Sequence, residues 1–104
     1  MIKATFFKNK GFISGFLIKG HSGYAEEGSD VICASVSSAA YMAANTLTEI
    51  VGAEADITVD DGYLRLAVKE MTDKTEIVLQ GLELHISTLA QDYSEYILCD
   101  EKTL

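Results

Sequence analysis

Ala55-Asp56-Ile57-Thr58-Val59-Asp60-Asp61-Gly62-Tyr63-Leu64-Arg65-Leu66-Ala67-Val68-Lys69 reads as two strands folded back on each other. Residues 55–60 and 64–69 alternate along the chain, so each strand shows one face to a core and the other to water. Asp61-Gly62 between them is a hairpin signal of the type I′ kind, which asks for positive φ at both central positions.

Immediately before this hairpin the period changes. From Val31 to about Gly52, Val36, Ala40, Ala43, Leu47 and Ile50 recur at spacings of three and four, the stripe of an amphipathic helix. Ser29 or Asp30 is placed to cap its start, and Gly52 to end it in a left-handed conformation. Small residues from Ala34 to Ala40 let the helix approach a sheet closely. On the other side of the hairpin, Asp73 with Glu76 resembles a capping box opening a helix that runs to about Tyr96. Its stripe is Val78, Leu82, His85 or Ile86, Leu89, Tyr93 and Ile97. Farther out, Ile2–Lys8 and Phe12–Lys19 make a second hairpin across Lys8-Asn9-Lys10-Gly11, with Phe12, Ser14, Phe16 and Ile18 on one face. The order strand, strand, helix, strand, strand, helix predicts an α+β fold. Its largely antiparallel sheet carries both helices on one face.

With 104 residues, the chain fits a single domain over 1–104, and 48% apolar residues supply a core without crosslinks. No apolar run approaches the roughly 18 residues of a membrane span, and the first residues lack the pattern of a signal peptide. Two cysteines, Cys33 and Cys99, are too few for a secreted disulfide scaffold, so both read as reduced and the protein as cytoplasmic. A net charge of −8 argues against a nucleic-acid surface and suits a basic partner or simple solubility.

Gly20–Ser29 has neither period and exceeds the usual connection of about 4–6 residues. It opens with His21 and ends at the helix that carries Cys33. With Asp30 as cap, Cys33 falls in the first turn, where free N–H groups and the helix dipole favour a thiolate and offer donors to an oxyanion. The loop is long enough to bring His21 back as its base. Taken alone, a cysteine on a small-residue helix is more often packing, and His21 more often faces water. His21, Asp30 and Cys33 lack paired ligand spacing, so no metal or cofactor is expected. Cys99 reads as a bystander and His85 as a packed histidine.

The stretch GHSGYAEEGSDVICASVSS, Gly20 through Ser38, resembles the signature of the ribosomal-processing cysteine protease family (Prp, or YsxB-like). The matching positions are Gly20, His21, Gly28, Asp30, Cys33 and Ser37, and length and element order follow along nearly the whole chain. The resemblance implies an endopeptidase that removes a short N-terminal extension from a large-subunit ribosomal protein during ribosome assembly. It further implies Cys33 as nucleophile, His21 as proton-transfer partner, and a homodimer. Asp30 either orients His21 or only caps the helix, and Ser37 bonds to the loop or to a backbone carbonyl. Ser22 stands where the family commonly has alanine, and no effect on His21 is expected from it. Two other readings remain open: a non-catalytic dimeric adaptor that binds a ribosomal protein, and another cysteine-dependent acyl-transfer enzyme.

Overall fold

The structure, a computed structural model, describes residues 1–26 and 30–104. Five strands form one sheet in the order β3-β4-β2-β1-β5: β1 (Ile2–Asn9), β2 (Phe12–Lys19), β3 (Ala55–Asp60), β4 (Tyr63–Val68) and β5 (Ile97–Thr103). Helices α1 (Val31–Asn45) and α2 (Asp73–Asp92) cover one face of it. Between the layers Phe6, Phe16, Ile18, Leu64 and Leu66 from the strands meet Val36, Ala40, Ala43, Leu79, Leu82 and Ile86 from the helices. The other face stays open, and there Arg65 lies over the Phe7 ring at 5.8 Å from its centroid. Neither helix is long and apolar enough to cross a membrane.

The expected α+β architecture is present, with several corrections of detail. The second helix stops at Asp92, and residues 97–103 form a fifth strand that the helical reading ran into. β5 pairs in parallel with β1, Ile97 opposite Ile2 and Cys99 opposite Ala4. Ile97 is buried as the helical stripe required, but from a strand. Only Ile97 of this segment is buried, so its sequence carries no alternating signal, and the free edge of β1 supplies what makes it a strand. The cap of α2 is Thr72 with Thr75, each side chain bonding the other's backbone N–H, one residue before the expected Asp73 and Glu76. Ile86, not His85, takes the buried position on α2, and His85 is exposed.

Glu76 is used elsewhere. Its carboxylate accepts the Ile13 N–H at 2.8 and 3.2 Å, at a bulge where Phe7 pairs with Gly15 and Lys8 with Ile13. Ser14 is the extra residue, and it reverses the alternation at that end of β2. Ile13 therefore enters the core beside Phe16, while Phe12 faces outward, opposite to the strict period-2 expectation.

The two hairpin turns also exchange roles. Lys10 and Gly11 have φ of 53° and 85°, the pair of positive values a type I′ turn needs. In the β3–β4 turn Gly62 alone is positive, at 63°, and Asp61 is not. The first helix keeps its stripe through Leu47, but residues Thr46–Val51 widen into a π-helical turn. The wider turn rotates the end of the helix, leaving Ile50 79% exposed rather than buried. Gly52 ends it with φ of 75°, as expected.

Candidate active site

The site forms where β2 ends against the β3–β4 turn. Gly20 N–H donates to Gly62 O at 2.9 Å, tying the strand end to that turn. With φ of 95°, Gly20 then bends the chain where any side chain would run into the Met1 carbonyl. The bend lays the His21 ring on the turn and sends Ser22 toward the start of α1. His21 is about half exposed, with Nε2 3.9 Å from Asp61 Oδ2.

Asp30 caps α1. Its Oδ1 accepts the N–H groups of Ile32 and Cys33, both at 3.0 Å, and its Oδ2 accepts the Ser22 hydroxyl. Ser22 Oγ in turn accepts the Tyr24 N–H at 3.0 Å, and the Ser22 N–H points at Cys33 Sγ, 3.3 Å away. The Ser22 hydroxyl, then the helix N–H groups, hold the Asp30 carboxyl down at about 2. Asp30 is therefore ionised at neutral pH. The Tyr24 ring packs edge-on against Tyr96, 5.3 Å between centroids, which fixes this part of the loop to the segment before β5.

This geometry changes two expectations. The helix-start N–H groups of Ile32 and Cys33 are occupied by Asp30, so they are not free to hold an oxyanion. The same carboxylate sets a negative charge beside the thiol and offsets the positive helix end. What remains aimed at the sulfur is the Ser22 N–H. Ser22 is only 4% exposed and joins thiol, cap and loop, so the serine that stands where the family commonly has alanine bears on Asp30 and Cys33, which the sequence reading did not foresee.

Cys33, His21 and Ser37 line two cavities. One, of about 310 Å³, runs between α1 and the β3–β4 hairpin and includes Tyr41, Asp61 and Tyr63. The other, of about 300 Å³, lies toward the loop with Gly23, Ala25 and Asp30. Gly20, His21, Asp30, Cys33 and Ser37 are thus brought to one place, with Gly20 as its hinge. Gly28 lies outside the described residues, as do Ser29, the alternative cap, and part of the loop expected to act as a lid. Cys99 is remote from this place, in β5. Among the described residues no three His, Cys, Asp or Glu side chains form a cluster suited to a metal.

A thiol and an imidazole lining one cleft on an α+β scaffold suit acyl transfer, and the family described as cysteine protease Prp matches residues 1–98. The protein is a cysteine protease. A relative from Bacillus subtilis (strain 168), named ribosomal processing cysteine protease Prp, is 32% identical over 104 residues, covering 91% of this chain and 92% of its own. The chain belongs to the Prp family. The crystal structure of SMU.848 from Streptococcus mutans superposes with a TM-score of 0.87 at 28% identity, covering 100% of this chain and 96% of that one. The Prp protease of S. aureus with a covalently linked product peptide has the same fold, with a TM-score of 0.92 at 24% identity over 98% of this chain and 100% of that one.

Proposed function

We propose that the protein is an endopeptidase that removes a short N-terminal extension from a large-subunit ribosomal protein during ribosome assembly. It works in the cytoplasm without a cofactor, through Cys33 and His21. One observation carries the reading: two cavities meet at Cys33, His21 and Ser37. A peptide laid through both has residues on either side of its scissile bond against the protein, as internal cleavage requires. The ribosomal substrate class is supported by the name of the Bacillus subtilis relative. The acidic balance of the chain, net −8, favours encounter with a basic ribosomal protein.

In this reading the Cys33 S–H proton passes to the His21 imidazole, and the sulfur pair forms a bond to the scissile carbonyl carbon. The C=O π pair moves onto oxygen, and the Ser22 N–H, 3.3 Å from Sγ, is a donor beside the bond that forms. Collapse breaks the C–N bond as the imidazolium gives its proton to the leaving amine. Water then opens the thioester with His21 taking its proton. Ser37, one turn after Cys33, borders the peptide in both cavities.

Incubation with a synthetic extended N-terminus of the host's own ribosomal protein should yield two fragments by mass. Cys33→Ala should yield none, and His21→Ala should slow cleavage by about 10²–10⁴-fold. Unchanged cleavage by either folded variant would overturn the pair. The family resemblance also carries a homodimer, which sedimentation equilibrium measures directly.

A further inference from the structure

The β3–β4 turn does more for the site than join two strands. His21 lies against Gly62 so closely that a Cβ at that position would stand 2.8 Å from Nε2 and 3.3 Å from Cδ2 and Cε1. Such a Cβ could not be accommodated unless the ring moved, and the φ of 63° at Gly62 already disfavours any other residue. Asp61, next in the same turn, places Oδ2 3.9 Å from the same nitrogen, within ion-pair range. The turn is itself anchored to the segment that carries His21, since Gly62 O accepts the Gly20 N–H. One edge of the imidazole is thus seated from below and faced by a carboxylate.

We propose that Asp61 and Gly62 are positioning residues for His21: they engage its Nε2 edge and leave Nδ1 as the nitrogen that exchanges a proton with Cys33 Sγ. The inference rests on the reading of His21 as the proton-transfer partner. In the resting protein Nε2 carries hydrogen, directed at Asp61, and Nδ1 is bare. The S–H bond then breaks as the Nδ1–H bond forms, giving thiolate and imidazolium. Among the described residues, the other ionisable groups lining these cavities are Asp60 and Tyr63 on the hairpin, Asp30 at the helix start, and Cys33 and Tyr41 on α1. None of these except Asp61 has an ion-pair contact with His21 among the described residues. Because Asp30 offsets the helix dipole at the thiol, the imidazolium is the cation that must hold the thiolate, and its seating matters accordingly.

Nitrogen NMR of the imidazole-labelled full-length protein tests this, with His85 as an internal reference. Above the imidazole titration, His21 in the wild type should be chiefly the Nε2–H tautomer. Asp61→Asn should convert it to a mixture, and Asp61→Glu should largely restore it. Cleavage by Asp61→Asn should lose about 2–5-fold in kcat at little changed KM, the size expected for an exposed ionic contact. Gly62→Ala should lose more, and the exposed Asp61 variants keep the test decisive if that protein fails to fold. A wild-type Nδ1–H tautomer, or a tautomer unmoved by Asp61→Asn, overturns the inference. If His21→Ala cleaves normally, the reading of His21 itself fails instead, so the two failures are separable.

Discussion

Cys33 opens α1 where two cavities meet, whereas Cys99 sits within β5, opposite Ala4 and packed against the core. Both are free, and both are partly buried, so exposure alone does not tell them apart. Their neighbours do. Cys33 receives the Ser22 N–H at its sulfur and shares both cavities with His21. Burial pushes the Cys99 thiol up to about 11, helped by the negative charges of Glu83, Asp100 and Glu101. The difference teaches that, in the function proposed above, donors and a base supplied from other elements would single out the reactive thiol. The helix start alone does not explain it, because Asp30 occupies its N–H groups.

The largest effect that could break this comparison is chemical. With its pKa at about 11, Cys99 is ionised to only about one part in 10⁴ at pH 7. Iodoacetamide should therefore modify Cys33 at least roughly tenfold faster, and peptide mapping after partial labelling gives the ratio. Equal rates would mean that the two settings are not chemically distinct. Cys99→Ala should leave peptide cleavage intact.

A smaller effect sharpens the Cys99 side. Glu83 is raised to about 7 by burial and by Glu101, while Glu101, hydrogen-bonded to Glu83 and close to Lys8, is lowered. The pair thus holds one proton, chiefly on Glu83, with Lys8 Nζ 3.9 Å from Glu83 and 3.3 Å from Glu101. A carboxyl raised on folding stabilises fully below its unfolded value of 4.5, and that stability is lost as pH rises through about 7. Glu83→Gln should flatten the decline over this window. The gain above pH 7 should be on the order of 1 kcal/mol, since the exposed Glu101 side of the pair is screened by solvent. Urea unfolding at a series of pH values measures it. The same variant should speed Cys99 alkylation, and a slope unchanged from wild type would remove the shared proton.

The smallest effect concerns the Cys33 side. Asp30 is depressed from 3.8 to about 2, first by the Ser22 hydroxyl. Its stabilising contribution is complete above the unfolded value and is lost as pH falls through about 2. Ser22→Ala should raise the midpoint of acid unfolding by roughly half a pH unit. An unmoved midpoint would show that the helix N–H groups suffice to hold Asp30 ionised.

Local repeats were enough to read four strands, two helices and their packing on one sheet face. Period 2 and period 3.6 record which side chains of one element face the same way, so a strand such as β4 or the stripe from Val36 to Leu47 is legible without its neighbours. Gly20, His21, Asp30, Cys33 and Ser37 were picked out for a different reason: they lie within one short stretch that resembles the Prp signature. Tertiary structure alone decided what depends on partners far along the chain. β5 is a strand because β1 has an open edge, with pairs such as Ala4 to Cys99 that no window of sequence contains. Ile13 is inside because Glu76, 63 residues later, holds the bulge. The same holds within the site, where Ser22 matters through Asp30 and the thiol, and Asp61 and Gly62 meet His21 across the end of β2. A hydrogen bond or steric contact between distant segments leaves no periodic trace in either one, and only the folded chain brings the two halves together.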